Sequence, residues 1–542
     1  MLVRYPSKTE TLADRLRHSR HPDERRSLFA GRTVHQGYPV LLDSAYLCEH
    51  MHILGPPGSG KTSIGIETLA RQLIALGNGP LVLFDAKGDY GLFSSVRHAA
   101  ALYGREFKWF TNRPQRSTYV FNPWDNRLMK RLSLTDILGL FIQSLNLHHG
   151  EDYGRAFFGA HNRHGFRRGI LETIPDAAKK NLVGAGTQRR LFPKYGPIQS
   201  FRDLYRILSD LAKDDNELKV AKHLTLTVEC LCDFDQINIT PATPDHDDAQ
   251  AAAIFMPEVI EKNQIVYFFL AGSLDNVAVA EIARLAMYSL YVAAVDYRER
   301  HGHEPRVYSI WDEAQVMVSK NIEYVLTQSR SAGVACILAH QAMSQLNPPG
   351  GVDLRELVMQ CTQVKQIMGA RDPWLLDYIS HTSGATKYYR RGYDLAVADV
   401  LGGCVDPART CADRDGERRV RVQEYTAPRL SRQDILSATA DPNVSLMSIG
   451  HPTSLCPFQG WFPMYTDWPV PLETHQYYER QPWPKTTKKT IETKLLWPEE
   501  VKTAEDHPAP DATPSEPQES TETLDALWDD VQKKNSRGKK KQ

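Results

Sequence analysis

The sequence predicts an α/β fold: a mainly parallel sheet covered by helices on both faces, an all-helical domain inserted into it, and a disordered C-terminal tail. Three patterns carry this expectation. Short, all-apolar runs alternate with helical stretches over residues 38–125 and 258–470, as strands buried on both faces do. Residues 126–257 between them are helical in pattern and nearly free of strand-like runs. Beyond Pro471 the apolar residues thin out, and Pro, Thr, Glu and Lys dominate residues 471–542, a composition that cannot build a core.

Taken in order, residues 1–37 form a polar N-terminal arm carrying Arg15, Arg17, Arg20, Arg25, Arg26 and Arg32. It reads either as a solvated helical arm packed on the core or as a surface for DNA phosphate or a neighbouring subunit. Met51-His-Ile-Leu54 is a short buried strand, followed by a glycine loop and a helix from Lys61 to about Leu76. Gly77-Asn-Gly-Pro80 stops that helix. Further strands are expected at Leu81-Val-Leu-Phe84, Ile265-Val-Tyr-Phe-Phe-Leu270, Val307-Tyr-Ser-Ile-Trp311, Val334-Ala-Cys-Ile-Leu-Ala339 and Val364-Lys-Gln-Ile-Met368. In the insert, Phe201, Leu204, Leu208 and Leu211 share one helical face. Asp245-His-Asp-Asp248 reads as a polar loop, since no helix or strand spacing converges these groups on a metal. In the tail, Leu524, Leu527, Trp528 and Val531 fall at helical spacing, so residues 521–534 are a candidate docking helix for a partner's groove.

Composition narrows the function classes. The 542 residues exceed what one growing core serves, so more than one folded unit is expected. The 65 Lys and Arg balance 65 Asp and Glu, so the global field favours neither nucleic acid nor an anionic membrane. Any such contact must come from local basic patches. The eight Cys include no C-x-x-C pair; Cys230 and Cys232 are too close for common zinc spacing, and Cys404 and Cys411 lack partners nearby. They read as reduced thiols of a cytosolic protein. No uninterrupted apolar run approaches the roughly 18 residues of a membrane span, residues 285–295 being the best candidate, and the N-terminus lacks a signal-peptide pattern. The expectation is a soluble, cytoplasmic chain, peripheral to the inner membrane at most through a partner.

The strongest chemical signal is Gly55-Pro-Pro-Gly-Ser-Gly-Lys-Thr62, which matches G-x-x-x-x-G-K-[ST] between a strand and a helix. In such a loop Gly55, Pro56, Pro57, Gly58, Ser59 and Gly60 let backbone N–H groups converge on phosphate oxygens, and the helix N-terminus adds partial positive charge. Lys61 is placed to reach the β- and γ-phosphates of ATP, and the Thr62 hydroxyl to ligate Mg2+. The second signal is Val307-Tyr-Ser-Ile-Trp-Asp-Glu313, an apolar strand ending in two acids. Asp312 takes the metal-holding role and Glu313 polarises the attacking water. Third, Ser329-Arg-Ser-Ala-Gly333 leads into a strand that ends at His340-Gln341. Gln341 either senses the γ-phosphate or makes a strand-end hydrogen bond. Arg330 is either a finger for a neighbour's nucleotide or a surface ion pair.

These pieces, in this order, resemble the TraG/TraD-like type IV coupling proteins, conjugative DNA-transfer ATPases of the HerA–FtsK superfamily. The resemblance rests on residues 55–62, Phe84-Asp-Ala-Lys-Gly-Asp89, Asn122-Pro123, Trp311-Asp-Glu-Ala314, the run from Gln328 to Gln341, and Tyr378-Ile-Ser-His-Thr-Ser-Gly384. The Ser-Arg-x-x-Gly to Gln spacing is its most specific part, and the likeness extends over roughly residues 28–463. It implies a RecA-like P-loop NTPase core, a homo-hexameric ring with ATP between subunits, and an all-helical insert over one mouth of the channel. Loops lining the hole would grip DNA, and Arg330 matches the position of a proposed finger. The resemblance places Asp85 and Lys87 near the nucleotide. The sequence departs from the family's usual pattern in two ways. It lacks N-terminal transmembrane helices, which implies recruitment by a membrane-embedded, relaxosome or secretion partner or work away from the membrane. Trp311 replaces a usual aliphatic residue, a change of packing.

Candidate DNA contacts are Arg163, His164, Arg167 and Arg168 with Phe157 and Phe158; Arg189, Arg190 and Lys194; and Lys387-Tyr-Tyr-Arg-Arg391, which interleaves basic and aromatic side chains. A DNA translocase is the leading reading. A coupling ATPase for protein cargo and a nucleotide-gated scaffold without motor action are the alternatives.

Overall fold

The apolar runs of the sequence become the centre of one large sheet. The structure is a computed structural model that describes residues 8–147, 155–173, 195–214, 222–239, 253–270, 276–317, 322–347, 353–393, 420–453 and 455–493. Its strands are β1 (Ser27–Thr33), β2 (Pro39–Asp43), β3 (Met51–Leu54), β4 (Leu81–Asp85), β5 (Phe107–Thr111), β6 (Ser117–Thr118), β7 (Ile265–Phe269) and β8 (Val307–Asp312). They continue with β9 (Val334–His340), β10 (Val364–Met368), β11 (Ala385–Tyr393), β12 (Val420–Pro428), β13 (Val444–Ile449), β14 (Gly460–Tyr465) and β15 (Ile491–Glu492). Eleven of them form a single sheet in the order β2-β1-β14-β13-β10-β3-β9-β8-β4-β7-β5.

From β10 to β5 every neighbouring pair is parallel, whereas β13, β14, β1 and β2 extend the sheet antiparallel. Every residue of β3, β4, β7, β8, β9 and β10 is buried, which is why these strands, apart from Lys365 and Gln366 in β10, are largely apolar without alternation. Register sets the working edge. Leu54 pairs with His340, Ala339 with Asp312, and Asp312 with Asp85. Four C-terminal strand ends therefore finish level, the edge at which open parallel sheets bind ligands.

Between Asn126 and Asn238 the described elements are all helices. A capping box of Ser133 and Asp136 starts the helix Leu134–Ser144. Trp124 stacks on Phe141 at 4.0 Å, and Phe166 and Phe201 close an aromatic centre around them. Phe201, Leu204 and Leu208 are buried as their spacing demands, joined by Ile207, while Leu211 is half-buried. Asn122 ties this region to the sheet domain: its amide donates to the carbonyls of Gln199 and Ile239, and its oxygen accepts from the Trp124 N–H.

Two boundaries differ from the sequence expectation. The N-terminal arm is not solvated throughout, because β1 enters the sheet between β2 and β14 and buries Leu28, Phe29 and Ala30. Leu16 of the helix Lys8–Arg17 then packs on Phe29 and Leu41. At the other end, order continues past Pro471 through the helix Leu472–Glu479 to β15, which pairs with β6. Trp483 stacks on Phe93 with centroids 4.7 Å apart and donates its indole N–H to the Ser117 carbonyl. One tryptophan thus anchors a polar segment that composition alone assigns to a tail. The Asp245 cluster, Cys404, Cys411, Arg189, Arg190, Lys194 and residues 521–534 lie outside the described residues.

Among the described residues one helix, Ala278–His301, is long and apolar enough to cross a membrane by length and composition, and 83% of its apolar window is buried in the fold. Uninterrupted runs miss it because Glu281 and Arg284 interrupt the apolar stretch. Both are buried, and Arg284 donates to the Ser144 carbonyl at 2.9 Å.

Trp483→Ala should destabilise the folded unit by about 2–3 kcal/mol, and ending the chain at Pro471 should cost at least as much, measured by denaturant unfolding. An unchanged midpoint for both would mean that residues 472–493 contribute nothing to the core.

Candidate nucleotide site

The loop of residues 55–62 leaves β3 at the level edge of the sheet. Gly55 donates its N–H to the His340 carbonyl at 3.3 Å. A Cβ at this position would lie 2.7 Å from the Met368 carbonyl oxygen, so only glycine fits between β3 and β10 here. Gly60 has φ +89° and turns the chain into the helix that begins at Lys61. That helix opens with a wide π-type turn over Lys61–Glu67 before continuing as Thr68–Leu76.

Lys61 is buried, and its Nζ donates to the Pro56 carbonyl at 3.3 Å. Burial lowers its pKa, against the pull of Glu313 and Asp312. The Thr62 hydroxyl donates to Asp312 Oδ2 at 3.3 Å. Sequence positions 250 apart therefore share one point in space, with β9 standing between their strands.

Asp312 is fully buried, and its pKa is pushed up to about 7, first by burial and then by the Asp85, Glu313 and Asp89 carboxylates, with Lys61 opposing. A buried carboxylate in this state is short of positive charge. Among the described residues no group of three or more His, Cys, Asp or Glu is arranged to hold a metal by itself. Mg2+ on a nucleotide needs no such cage: one or two protein ligands suffice, with phosphate oxygens and water completing the shell. The Thr62 hydroxyl and Asp312 carboxylate fit that requirement.

Glu313 adopts a left-handed backbone at φ +55°, a conformation that costs a non-glycine residue about 1–2 kcal/mol and that concentrates at functional sites. The turn carries its carboxylate out of the strand direction. There Gln341 Nε2 donates to Oε1 at 2.7 Å, and Gln315 Nε2 donates to Oε2 at 2.6 Å. Gln341 thus touches the second acid, so its strand-end hydrogen bond is to a site residue. Gln345 fixes it in turn, accepting from the N–H groups of Gln341 and Ala342 at 3.0 Å each.

Asp85 is at the same edge, but its carboxylate is fully engaged. Oδ1 accepts from the N–H groups of Lys87 and Gly88, and Oδ2 accepts from the Asp89 N–H and the Tyr267 hydroxyl. Burial raises its pKa to about 6. Asp85 therefore shapes the loop that presents the exposed Lys87. Arg330 does not reach this edge. It sits before β9, at the opposite end of a seven-residue strand spanning about 20 Å, and it pairs with Glu49 at 3.0 Å while 64% exposed.

Sequence reading missed a buried pair beneath the loop. His52 in β3 and His340 in β9 approach Nε2 to Nε2 at 2.6 Å with stacked rings. The His340 Nδ1–H donates to the Ala342 carbonyl, which leaves its Nε2 to accept from the His52 Nε2–H. Burial lowers both pKa values, His340 to about 4, so both rings stay neutral. Their only sequence signal was a histidine in each of two otherwise apolar strands. Tyr267, Gln315 and Gln345 carried none. Trp311 is buried, with its indole N–H satisfied by the Ser309 hydroxyl.

Comparison with known families agrees with this geometry. Residues 28–160 match the family model described as Helicase HerA, central domain. Residues 306–394 match the one described as TraM recognition site of TraD and TraG. The bacterial conjugative coupling protein TrwBdeltaN70, in its unbound monoclinic form, aligns with a TM-score of 0.54 at 13% identity, over 84% of this chain and 91% of that one. The plasmid coupling protein TrwB with the non-hydrolysable GTP analogue GDPNP aligns at 0.51 and 14%, over 81% and 89%. TrwB with the ATP analogue ADPNP aligns at 0.51 and 14%, over 84% and 92%. At these identities the likeness is one of fold. No curated protein matches the sequence.

Asp312 supplies a pH test. Its folded-state pKa of about 7 lies above the ordinary 3.8, so its protonated form favours folding. That contribution is present at low pH and lost as pH rises through about 7. Asp312→Asn should therefore raise the nucleotide-free unfolding midpoint at pH 8, on the order of 2 °C, with the gain shrinking toward pH 6. An equal gain at both pH values, by differential scanning fluorimetry, would contradict a charge-based cause.

Proposed function

We propose that this TraG/TraD-like ATPase of the HerA–FtsK superfamily hydrolyses ATP to drive DNA through a homo-hexameric ring, as a coupling protein of a type IV secretion pathway. The observation that carries the reading is the 3.3 Å meeting of the Thr62 hydroxyl with the Asp312 carboxylate, beside a second acid held by two glutamine amides. Triphosphate chemistry needs these groups at one point.

In this reading the N–H groups of residues 55–62 hold the phosphates and Lys61 moves from the Pro56 carbonyl onto the β- and γ-oxygens. Thr62 and Asp312 hold Mg2+, which supplies charge neutralisation at the phosphates. Glu313 accepts the proton of the attacking water, and Gln341 keeps its carboxylate aimed. The same amide can release Glu313 for the γ-phosphate, giving a contact that differs before and after hydrolysis. The strained backbone of Glu313 supports a role in chemistry, because a merely structural acid has no need of it.

Arg330 takes the finger role in trans. Its place about 20 Å from its own nucleotide edge and its exposure suit a group offered to a neighbour, with Glu49 as its partner in the single chain. DNA is the cargo, the membrane-side partner is a relaxosome or secretion component, and the chain works at the cytoplasmic face of the inner membrane.

ATPase turnover should rise when DNA is added and fall again with salt, as phosphate contacts release counterions, with Lys61→Ala inactive. Equal turnover with and without DNA would overturn the translocase reading. Mixing Arg330→Ala with wild-type chain should lower activity more steeply than dilution, because each site borrows its neighbour's arginine. A strictly linear loss would remove Arg330 from the mechanism.

A further inference from the structure

Among the described residues β11 and β12 pair with each other and with no other strand, forming a two-stranded ribbon. Directly paired residues of an antiparallel ribbon lie on one face. Tyr388 is opposite Tyr425, Arg390 opposite Gln423, and Gly392 opposite Arg421. These positions make up one face, together with the Thr386 and Ala427 pair. The face has two tyrosine and two arginine positions and no acid. The ribbon's acid at Glu424 falls on the other face, where it is bound to Lys387 at 2.6 Å. The Tyr388 and Tyr425 rings lie 5.6 Å apart and within 22° of parallel, yet are 40% and 48% exposed. Tyr389, on the Lys387 face, is 64% exposed.

A cross-strand tyrosine pair stabilises a ribbon that would be marginal alone, and that accounts for the contact between the rings. It does not account for a face whose tyrosines are exposed and whose positions include no acid. Such a face matches the two requirements of an unpaired nucleic-acid strand, a π-surface for a base and cationic positions for the backbone. A duplex hides its base faces in its own stack and would meet only the charges.

The ribbon is also chained to the nucleotide loop. β10 lies beside β3, and a Cβ on Gly369, just past β10, would meet Pro56 at 3.4 Å. Asp372 then caps the helix Pro373–Thr382, which runs into β11. At the ribbon's base, Arg429 donates its N–H to the Gly384 carbonyl and Leu430 donates to the Ser383 hydroxyl.

We propose that the Tyr388–Tyr425 face of this ribbon is a base-stacking surface for single-stranded nucleic acid. The inference rests on the DNA-cargo reading and adds to it a site and a strand state. The test is binding of the full chain, with a non-hydrolysable ATP analogue present, to a fluorescent oligothymidylate and to an abasic strand of equal length, read by anisotropy. Wild type should prefer the oligothymidylate. The Y388A/Y425A double variant should lose about tenfold or more in affinity for it and bind both strands alike. Y388F/Y425F, which keeps the rings, should behave as wild type, and near-ultraviolet circular dichroism should show that both variants fold. Undiminished preference in Y388A/Y425A, or loss of it in Y388F/Y425F, overturns the stacking surface and leaves the cargo reading standing. Failure of the wild-type chain to bind either strand overturns the cargo reading, and the surface with it.

Discussion

The Thr62 hydroxyl and the Asp312 carboxylate meet across an intervening strand, and the rest of the site follows from the register that allows it. β3, β9, β8 and β4 end level, so a loop leaving one strand and acids ending another face the same space. The cost is electrostatic. Burial first, and then the neighbouring Asp85, Glu313 and Asp89 carboxylates, raise the Asp312 pKa to about 7, with Lys61 opposing. A divalent cation bound with triphosphate would supply the charge this edge lacks, so the groups that disfavour the empty state would be the ones to favour a loaded one.

Surrounding structure holds that edge in place. Asp85 spends its carboxylate on three backbone N–H groups and Tyr267, fixing the loop from Lys87 to Asp89. Asp89 caps the helix Tyr90–Leu102, and Phe93 of that helix carries Trp483. A segment from the far end of the chain thus braces a loop beside the nucleotide edge. Beneath the glycine loop, two neutral histidines bridge β3 to β9, and Gln341 follows directly on that bridge. The acid and its glutamine are therefore positioned by packed neighbours on both sides.

The ribbon of β11 and β12 stands outside this packed system but leaves from it. The chain goes from the strand beside the glycine loop, through one capped helix, to an exposed aromatic face. A shift at Pro56 has a short covalent and packed route to that face.

The sequence by itself determined the parallel core, the glycine loop and the acidic strand end, because each is a local pattern: an apolar run, a fixed spacing, a strand followed by two acids. It also placed Gln341, since one strand separates it from Arg330. It could not show that Trp483 closes on Phe93, that β1 enters the sheet, or that His52 meets His340 across 288 positions. Only the folded chain decided that Asp85 is consumed by its own loop and that Arg330 pairs with Glu49. Local patterns report how a segment buries its own surface. Which segments meet depends on the register of strands hundreds of residues apart, and that is set by the packing of the whole sheet.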